Sequence, residues 1–345
     1  MEVKAPAVIK LFGEHAVLYG KTAVAMAIDM HAKADMERDT NGLTISLDDI
    51  NKSASFSRAD LKQIYDSFLA RESVAAFIGE QPITREILPF AAIASVLSFR
   101  HDVILEGTVN VSSYVPMQKG LASSAACSTA FLSALVKNNS IQLSDQDFIE
   151  TARIGEKIQH INEGAGAIDV STSYYGGFIS LNGGKAKSER VNAKLDLLLV
   201  DTGPKKKTSE MVASVRRMYE ADREATSSIL DNIDSCSRRG IKVLESDAPN
   251  RLELIGALMY LNQYYLSCLG VSSNSINKAV SMARRHQAYG AKLTGGGGGG
   301  MMIILSKKED NGLKEELKEN GFSVSAIETS LIGSSSYAKK RSKSF

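Results

Sequence analysis

Val115-Pro-Met-Gln-Lys-Gly-Leu-Ala-Ser-Ser-Ala-Ala126 is the stretch on which the reading of this chain turns. A turn containing Lys119 and Gly120 runs into paired hydroxyls, Ser123 and Ser124, and then into residues 122–137, small and apolar as in a tightly packed helix. The first N–H groups of such a helix lack intrahelical partners and its dipole is positive there, so a phosphate chain is favoured. The Ser hydroxyls can add hydrogen bonds or a Mg²⁺ ligand, and Lys119 can add charge. The same residues also suit an ordinary N-cap before a packing helix. This segment alone leaves both readings open.

Three further segments bear on the choice. Lys292-Leu-Thr-Gly295 opens a run of six glycines, 295–300, followed by the apolar strand Met301–Leu305. Glycine lets backbone approach a ligand closely, and the flanking apolar segments fit a flexible linker poorly. The run formally contains GxGxxG, but it precedes a strand instead of opening a helix, unlike a dinucleotide fingerprint. No GxxxxGK[ST] loop occurs anywhere. Asn162 to Asp169 is a Gly-rich bend whose Asp could orient or deprotonate an attacking hydroxyl, although Asp in turns is commonly structural. Finally, Gly13-Glu14-His15 follows a strand-like run, Ala7–Phe12, on which Val8 and Lys10 share a face because strand side chains alternate.

Composition narrows the class. The chain has 345 residues, formal net charge +2 and 43% hydrophobic residues, enough for two lobes with cores of their own and too balanced for a polybasic nucleic-acid or membrane partner. The three cysteines lack CxxC spacing, which fits a reducing compartment without structural zinc. Neither a signal-peptide pattern nor an apolar run of roughly 18 residues is present, so the expected location is the cytoplasm.

The remaining pattern is α/β throughout. Ser144–Asp147 predicts a helix N-terminus, with the helix reaching about Ile161; Asn182-Gly183 predicts a hairpin after strand 178–181. The polar stretch 185–192 is the preferred lobe boundary, dividing the chain into 1–190 and 191–345. Beyond it come a strand at 195–200, helices near 211–219 and 252–269, a helix ending near Gly290, strand 301–305, helix 308–320 and strand 322–330. Residues 40–100 carry no assignable motif.

Together and in this order, these segments resemble the GHMP small-molecule kinase superfamily, most of all its mevalonate kinases. Ala5-Pro6 with Leu11-Phe-Gly-Glu-His-Ala-Val-Leu-Tyr-Gly20 is similar to their N-terminal signature, and galactokinases and homoserine kinases read differently there. Gly120–Ala126 resembles the nucleotide phosphate loop, Gly290–Gly299 the third, glycine-rich motif, and Asp201-Thr202 with Thr208 a further active-site segment. The resemblance implies an α+β fold of two lobes, an N-terminal ATP-binding lobe with a left-handed βαβ crossover and a ferredoxin-like C-terminal lobe. It implies ATP- and Mg²⁺-dependent phosphorylation of the mevalonate 5-hydroxyl, and it is compatible with a homodimer. By carry-over, Asp169 is the base and Lys119, Gly120, Leu121, Ala122, Ser123, Ser124 and Ala125 surround the nucleotide. Ser124 ligands Mg²⁺, and Glu14, His15, Thr208, Gly296 and Gly297 shape the substrate pocket.

Three departures accompany the resemblance. The usual Ala-Pro-Gly-Lys reads Ala5-Pro6-Ala7-Val8, and Lys10, two residues on, is expected to take the place of the missing Lys. Gln118 and Ala122 stand where the phosphate loop has glycines, and Ala122 is expected at negative φ. The Mg²⁺-binding Glu, eleven residues before the catalytic Asp, is Ile158; Glu156 is the nearest candidate for that ligand, although a two-residue shift turns it about 200° around a helix, the wrong way unless the helix end or loop is remodelled. The six glycines at 295–300 look like more than one loop needs. Ala7–Lys10 and Tyr175-Gly-Gly-Phe178 also resemble diphosphomevalonate decarboxylases of the same superfamily. A phosphomevalonate kinase, a decarboxylase and a silent metabolite sensor on this fold are therefore the alternatives to a mevalonate kinase.

Overall fold

The computed structural model describes residues 2–39, 41–116, 119–162, 165–189, 191, 194–203, 206–307 and 310–338. The first sheet has seven strands: β1 (Val3–Phe12), β2 (Ala23–Glu37), β3 (Leu43–Leu47), β4 (Lys52–Phe56), β5 (Gly107–Ser113), β6 (Phe178–Asn182) and β7 (Lys185–Glu189). Their order is β4-β3-β5-β2-β6-β7, with β1 antiparallel to the long β2. Strands β3 and β5 are parallel. The chain between them holds α1 (Arg58–Ala70), α2 (Val74–Glu80) and α3 (Leu88–Arg100), so the motif-free region 40–100 is a sheet edge and its helical cover. Helices α4 (Ser123–Asn138), α5 (Asp145–His160) and α6 (Ala167–Tyr175) complete this half. The predicted cap of α5 is present: Asp147 N–H donates to Ser144 Oγ at 3.1 Å.

The second sheet has four strands, β8 (Asp196–Asp201), β9 (Gly290–Leu293), β10 (Met301–Leu305) and β11 (Ser323–Glu328), in the order β11-β8-β10-β9 and all antiparallel. In chain order within this sheet that is 4-1-3-2, the ferredoxin-like arrangement. Helices α7 (Thr208–Ala221), α8 (Arg223–Glu245), α9 (Arg251–Cys268) and α10 (Asn274–Arg285) precede β9, and α11 (Asn311–Glu319) lies between β10 and β11.

Two local expectations need correction. The helix predicted to run to Gly290 stops at Arg285, because Gln287 takes a left-handed φ of 55° and turns the chain into β9. Within the polar stretch 185–192, Lys185–Glu189 is a strand, brought back onto β6 by a turn in which Gly183 and Gly184 both have positive φ. Its exposed Lys185 and Lys187 suit an edge that must not pair further, whereas Glu189 is buried and accepts a hydrogen bond from Ser180.

One core cluster joins the two sheets. Ala7, Ile9, Leu11 and Phe12 of β1 and Met26 and Ile28 of β2 pack with Leu197 and Leu199 of β8, Met301 and Ile303 of β10, and Ile255 and Leu258 of α9. Burying an Ile or Leu here contributes roughly 1.5–3 kcal/mol. The register shift between Lys10 and Phe12 explains how neighbours Leu11 and Phe12 both enter this core: a bulge re-aims the strand end. On the other face of β1, Val8 packs with Ile168 of α6, which leaves the site-facing end of that face to Lys10. Among the described residues no helix is long and apolar enough to cross a membrane, and the three cysteines are free.

Candidate active site

Strand alternation and helix packing bring Lys10 and Asp169 together. Val8 meets Ile168, so the next outward residue of β1 reaches the next residue of α6, and Lys10 Nζ forms an ion pair with Asp169 Oδ1. Asp169 lies in the first turn of α6, where a carboxylate is favoured by the helix dipole. The two side chains are 18% and 22% exposed, shielded yet reachable from solvent.

The phosphate-loop segment borders this pair. Val8 N–H donates to the Leu121 carbonyl at 3.0 Å, which pins the loop to β1. Leu121 and Ala125 are buried. Ala122 has φ 51° and ψ 41°, a left-handed conformation, against the expectation of a negative φ. The chain must turn sharply from the β1 contact into α4, and Ala is small enough to accept a conformation costing roughly 1–2 kcal/mol. Gln118 lies outside the described residues. Ser123 Oγ is 3.4 Å from Ser113 Oγ of β5, whereas the Ser124 hydroxyl makes no hydrogen bond among the described residues. Lys119 Nζ binds Asp201 Oδ2 at the end of β8, 2.6 Å away, so the loop is tied to the second sheet.

Glu156 also differs from expectation. It is 2% exposed, and its side chain lies against Gly166, where an added Cβ would collide with it. Helix α5 ends at His160 and Ile161 turns with φ 51°, so residues 156 and 169 do not lie on one continuous helix. Residues 156 and 158 do face different ways on α5, Ile158 into the core, but the bend at Ile161 brings the start of α6 over Glu156. One Glu156 oxygen is 3.5 Å from His160 Nε2, and the other is buried with no hydrogen-bond partner among the described residues. The bond to Glu156 raises the His160 pKa above its ordinary value.

The glycine run forms the opposite wall. Thr294 closes two hydrogen bonds with Lys10, accepting from its N–H at 3.0 Å and donating to its carbonyl at 3.1 Å. Gly295 lies beside Gly120, the Cβ position of the former 3.6 Å from the carbonyl oxygen of the latter, so the two loops adjoin. A Cβ on Gly296 would sit 2.8 Å from the Thr208 side chain, and one on Gly297 would strike the Val271 carbonyl. Gly295 and 297–300 have positive φ. The run is thus not in excess, since each glycine answers a backbone or contact demand.

Glu14 and His15 stand at the end of β1. His15 Nε2 lies 3.0 Å from the Gly296 carbonyl, which makes it the protonated nitrogen and leaves buried Nδ1 as an unpartnered acceptor among the described residues. Burial lowers the His15 pKa, favouring this neutral form. Glu14 is paired with Lys292 of β9, both almost completely buried. Sequence reasoning missed this partnership, as it missed Asp201 for Lys119 and Thr294 for Lys10. A lysine amid the otherwise apolar Gly290–Leu293 strand was the available signal for the first.

The site thus has a carboxylate–ammonium pair, a helix N-terminus with one free hydroxyl and a glycine-rich wall, the parts that phosphoryl transfer requires. Comparison with known proteins agrees. The families described as GHMP kinases N terminal domain and GHMP kinases C terminal match residues 90–177 and 241–323. The mevalonate kinase of Thermococcus sibiricus is 33% identical over 299 residues, 84% of each chain. That of Arabidopsis thaliana is 31% identical over 336 residues, 86% of this chain and 88% of its own. The crystal structure of Methanococcus jannaschii mevalonate kinase superposes with a TM-score of 0.77 at 25% identity, covering 95% of this chain and 98% of that one. With the same motifs gathered around one cleft, the chain belongs to the GHMP kinases, in the mevalonate kinase family.

Proposed function

We propose that the protein transfers the γ-phosphoryl group of ATP to the 5-hydroxyl of mevalonate. The observation that carries this reading is the Lys10–Asp169 pair, set where the phosphate loop and the glycine wall meet. Asp169 accepts the proton of the attacking hydroxyl, and Lys10 holds that carboxylate in place while offering positive charge to the transferred group. The N-terminal amides of α4, with Gly120 to Ala125 and Lys119, cradle the nucleotide phosphates. His15, Thr208, Gly296 and Gly297 line the acceptor side, and Glu14 shapes it from behind. Because phosphoryl transfer demands positioning and charge neutralisation more than covalent chemistry, these fixed groups suffice in kind.

The residues present fit Mg²⁺. Ser124, with its free hydroxyl, and Glu156, with its orphaned buried oxygen, would hold it. Such an ion neutralises phosphate charge and aligns the reacting oxygens. The change of sheet between Glu189 and Asp196 supports 1–190 and 191–345 as the two lobes.

The test is Mg²⁺-dependent ADP release with mevalonate, its 5-phosphate, its 5-diphosphate, galactose and homoserine, with CO₂ followed in parallel. ADP with mevalonate and no CO₂ is the expected result. CO₂ from the diphosphate would instead identify a decarboxylase, and binding without ADP in every case a sensor.

A further inference from the structure

Lys292 is 0% exposed on its side chain, and its ammonium meets Glu14 and the Leu293 carbonyl, the latter at 2.6 Å. Along the strand and into the glycine run, every second residue makes a tie to the end of β1: Lys292 to Glu14, Thr294 to Lys10, Gly296 to His15. Between these ties the β1 end is strained. His15 has φ 60° and ψ −45°, outside the ordinary regions for a side-chain-bearing residue. Such a conformation persists only where its surroundings over-determine it, and the neighbouring Glu14 is held from one side by Lys292. Stability alone does not call for a buried ion pair, because apolar residues of similar volume are often as stable or more so.

We propose that Lys292 is a positioning residue for phosphoryl transfer. Through Glu14 it locks the Gly13–His15 turn against the glycine wall, which sets His15 and Gly296 relative to Lys10 and Asp169. It acts on the reaction through these groups and touches none of the reacting atoms. Burial works against charge on both members, raising the Glu14 pKa and lowering that of Lys292, while the charge of each favours that of the other. This role rests on the kinase reading above, yet the locking itself can be measured without it.

The experiment compares the full-length protein with Lys292→Met and with the double variant Glu14→Gln/Lys292→Met. Amide hydrogen exchange is read over 13–16 and 292–300 against α1, alongside melting temperature and steady-state kinetics. In Lys292→Met, exchange should rise at least tenfold in the two segments and stay unchanged in α1. kcat should fall at least tenfold, with KM for ATP within threefold of wild type. The double variant, which no longer buries an unpaired charge, should recover melting temperature without recovering kcat. Recovery of both, or a uniform rise in exchange across the chain, would overturn the proposal and leave the pair a stabilising contact only. Should Lys292→Met fail to fold, Glu14→Gln, of nearly the same shape, is put through the same measurements and judged by the same outcomes. A wild-type protein inactive on every substrate would sink the kinase reading, while the exchange data would still decide whether Lys292 locks the turn.

Discussion

Replacing Lys10 by Met removes the positive charge beside Asp169 while keeping the length and apolar stem of the side chain. The partners are 18% and 22% exposed, so an effective dielectric constant of about 20 is appropriate, and two unit charges ~4 Å apart then interact by about 4 kcal/mol. Only part of a unit charge develops on the transferring group, which places the loss near that of one preorganised donor, about 2.7–4 kcal/mol or roughly 10²–10³ in kcat. The stability cost should be small, since Asp169 retains contact with water: a fall in melting temperature of less than about 4 °C. Steady-state kinetics with varied ATP and mevalonate, paired with a thermal melt, make the check. The expected pattern is a kcat reduced by that factor, a KM for ATP within about threefold of wild type, and a nearly unchanged melt. Wild-type turnover in Lys10→Met would refute the assignment and show that the missing motif lysine has no substitute on β1.

Asp169→Asn should lower kcat by roughly 10²–10⁴, the usual range for loss of a general base, while equilibrium titration with a nucleotide analogue stays near wild type. Ala122→Val should cost more than about 2 kcal/mol in urea unfolding, because a β-branched residue resists the left-handed region. Ala122→Gly should stay within about 1 kcal/mol of wild type, relief of strain offsetting lost packing and greater unfolded-state freedom. His15 gives a pH test. Its folded pKa is depressed by burial, so its contribution to stability is fully present above the ordinary value of 6.5 and is lost as pH falls through the folded value. Melting temperatures of wild type and His15→Asn between pH 8 and 5 should therefore converge on the acid side, and parallel curves would count against a buried neutral His15.

Much of the fold was legible because its signals are local. Alternation along β1 placed Lys10 beside Val8, and the packing of Val8 on Ile168 turned that into a contact with Asp169. The Ser144 cap, the Asn182-Gly183 turn and the apolar β10 were equally local. What escaped was set by the path of the chain between elements. The side of Glu156 was misjudged because α5 was taken to meet the site along its Ile158 face, whereas the bend at Ile161 lays the start of α6 over Glu156. Within region 40–100, α3 was silent because it is buried on nearly every side, and a helix without a polar face shows little periodicity. Lys292 and Glu14 stand 278 positions apart; the apolar neighbours of Lys292 mark it as a buried lysine, but nothing local names its partner.

The all-glycine wall has a consequence for heat resistance. Glycine loses more backbone freedom on ordering than any other residue, at about 1–2 kcal/mol per residue for an average position, and this penalty grows in proportion to absolute temperature. Residues 295–300 have no side chains with which to repay it, so their order depends on Thr294, on the His15 contact and on backbone hydrogen bonds, Gly298 N–H to the Val271 carbonyl and Thr202 N–H to the Gly300 carbonyl. As the temperature rises, this wall should loosen before either sheet melts. Thermal inactivation should then be an early and reversible step, recoverable on cooling so long as the lobes themselves have not come apart.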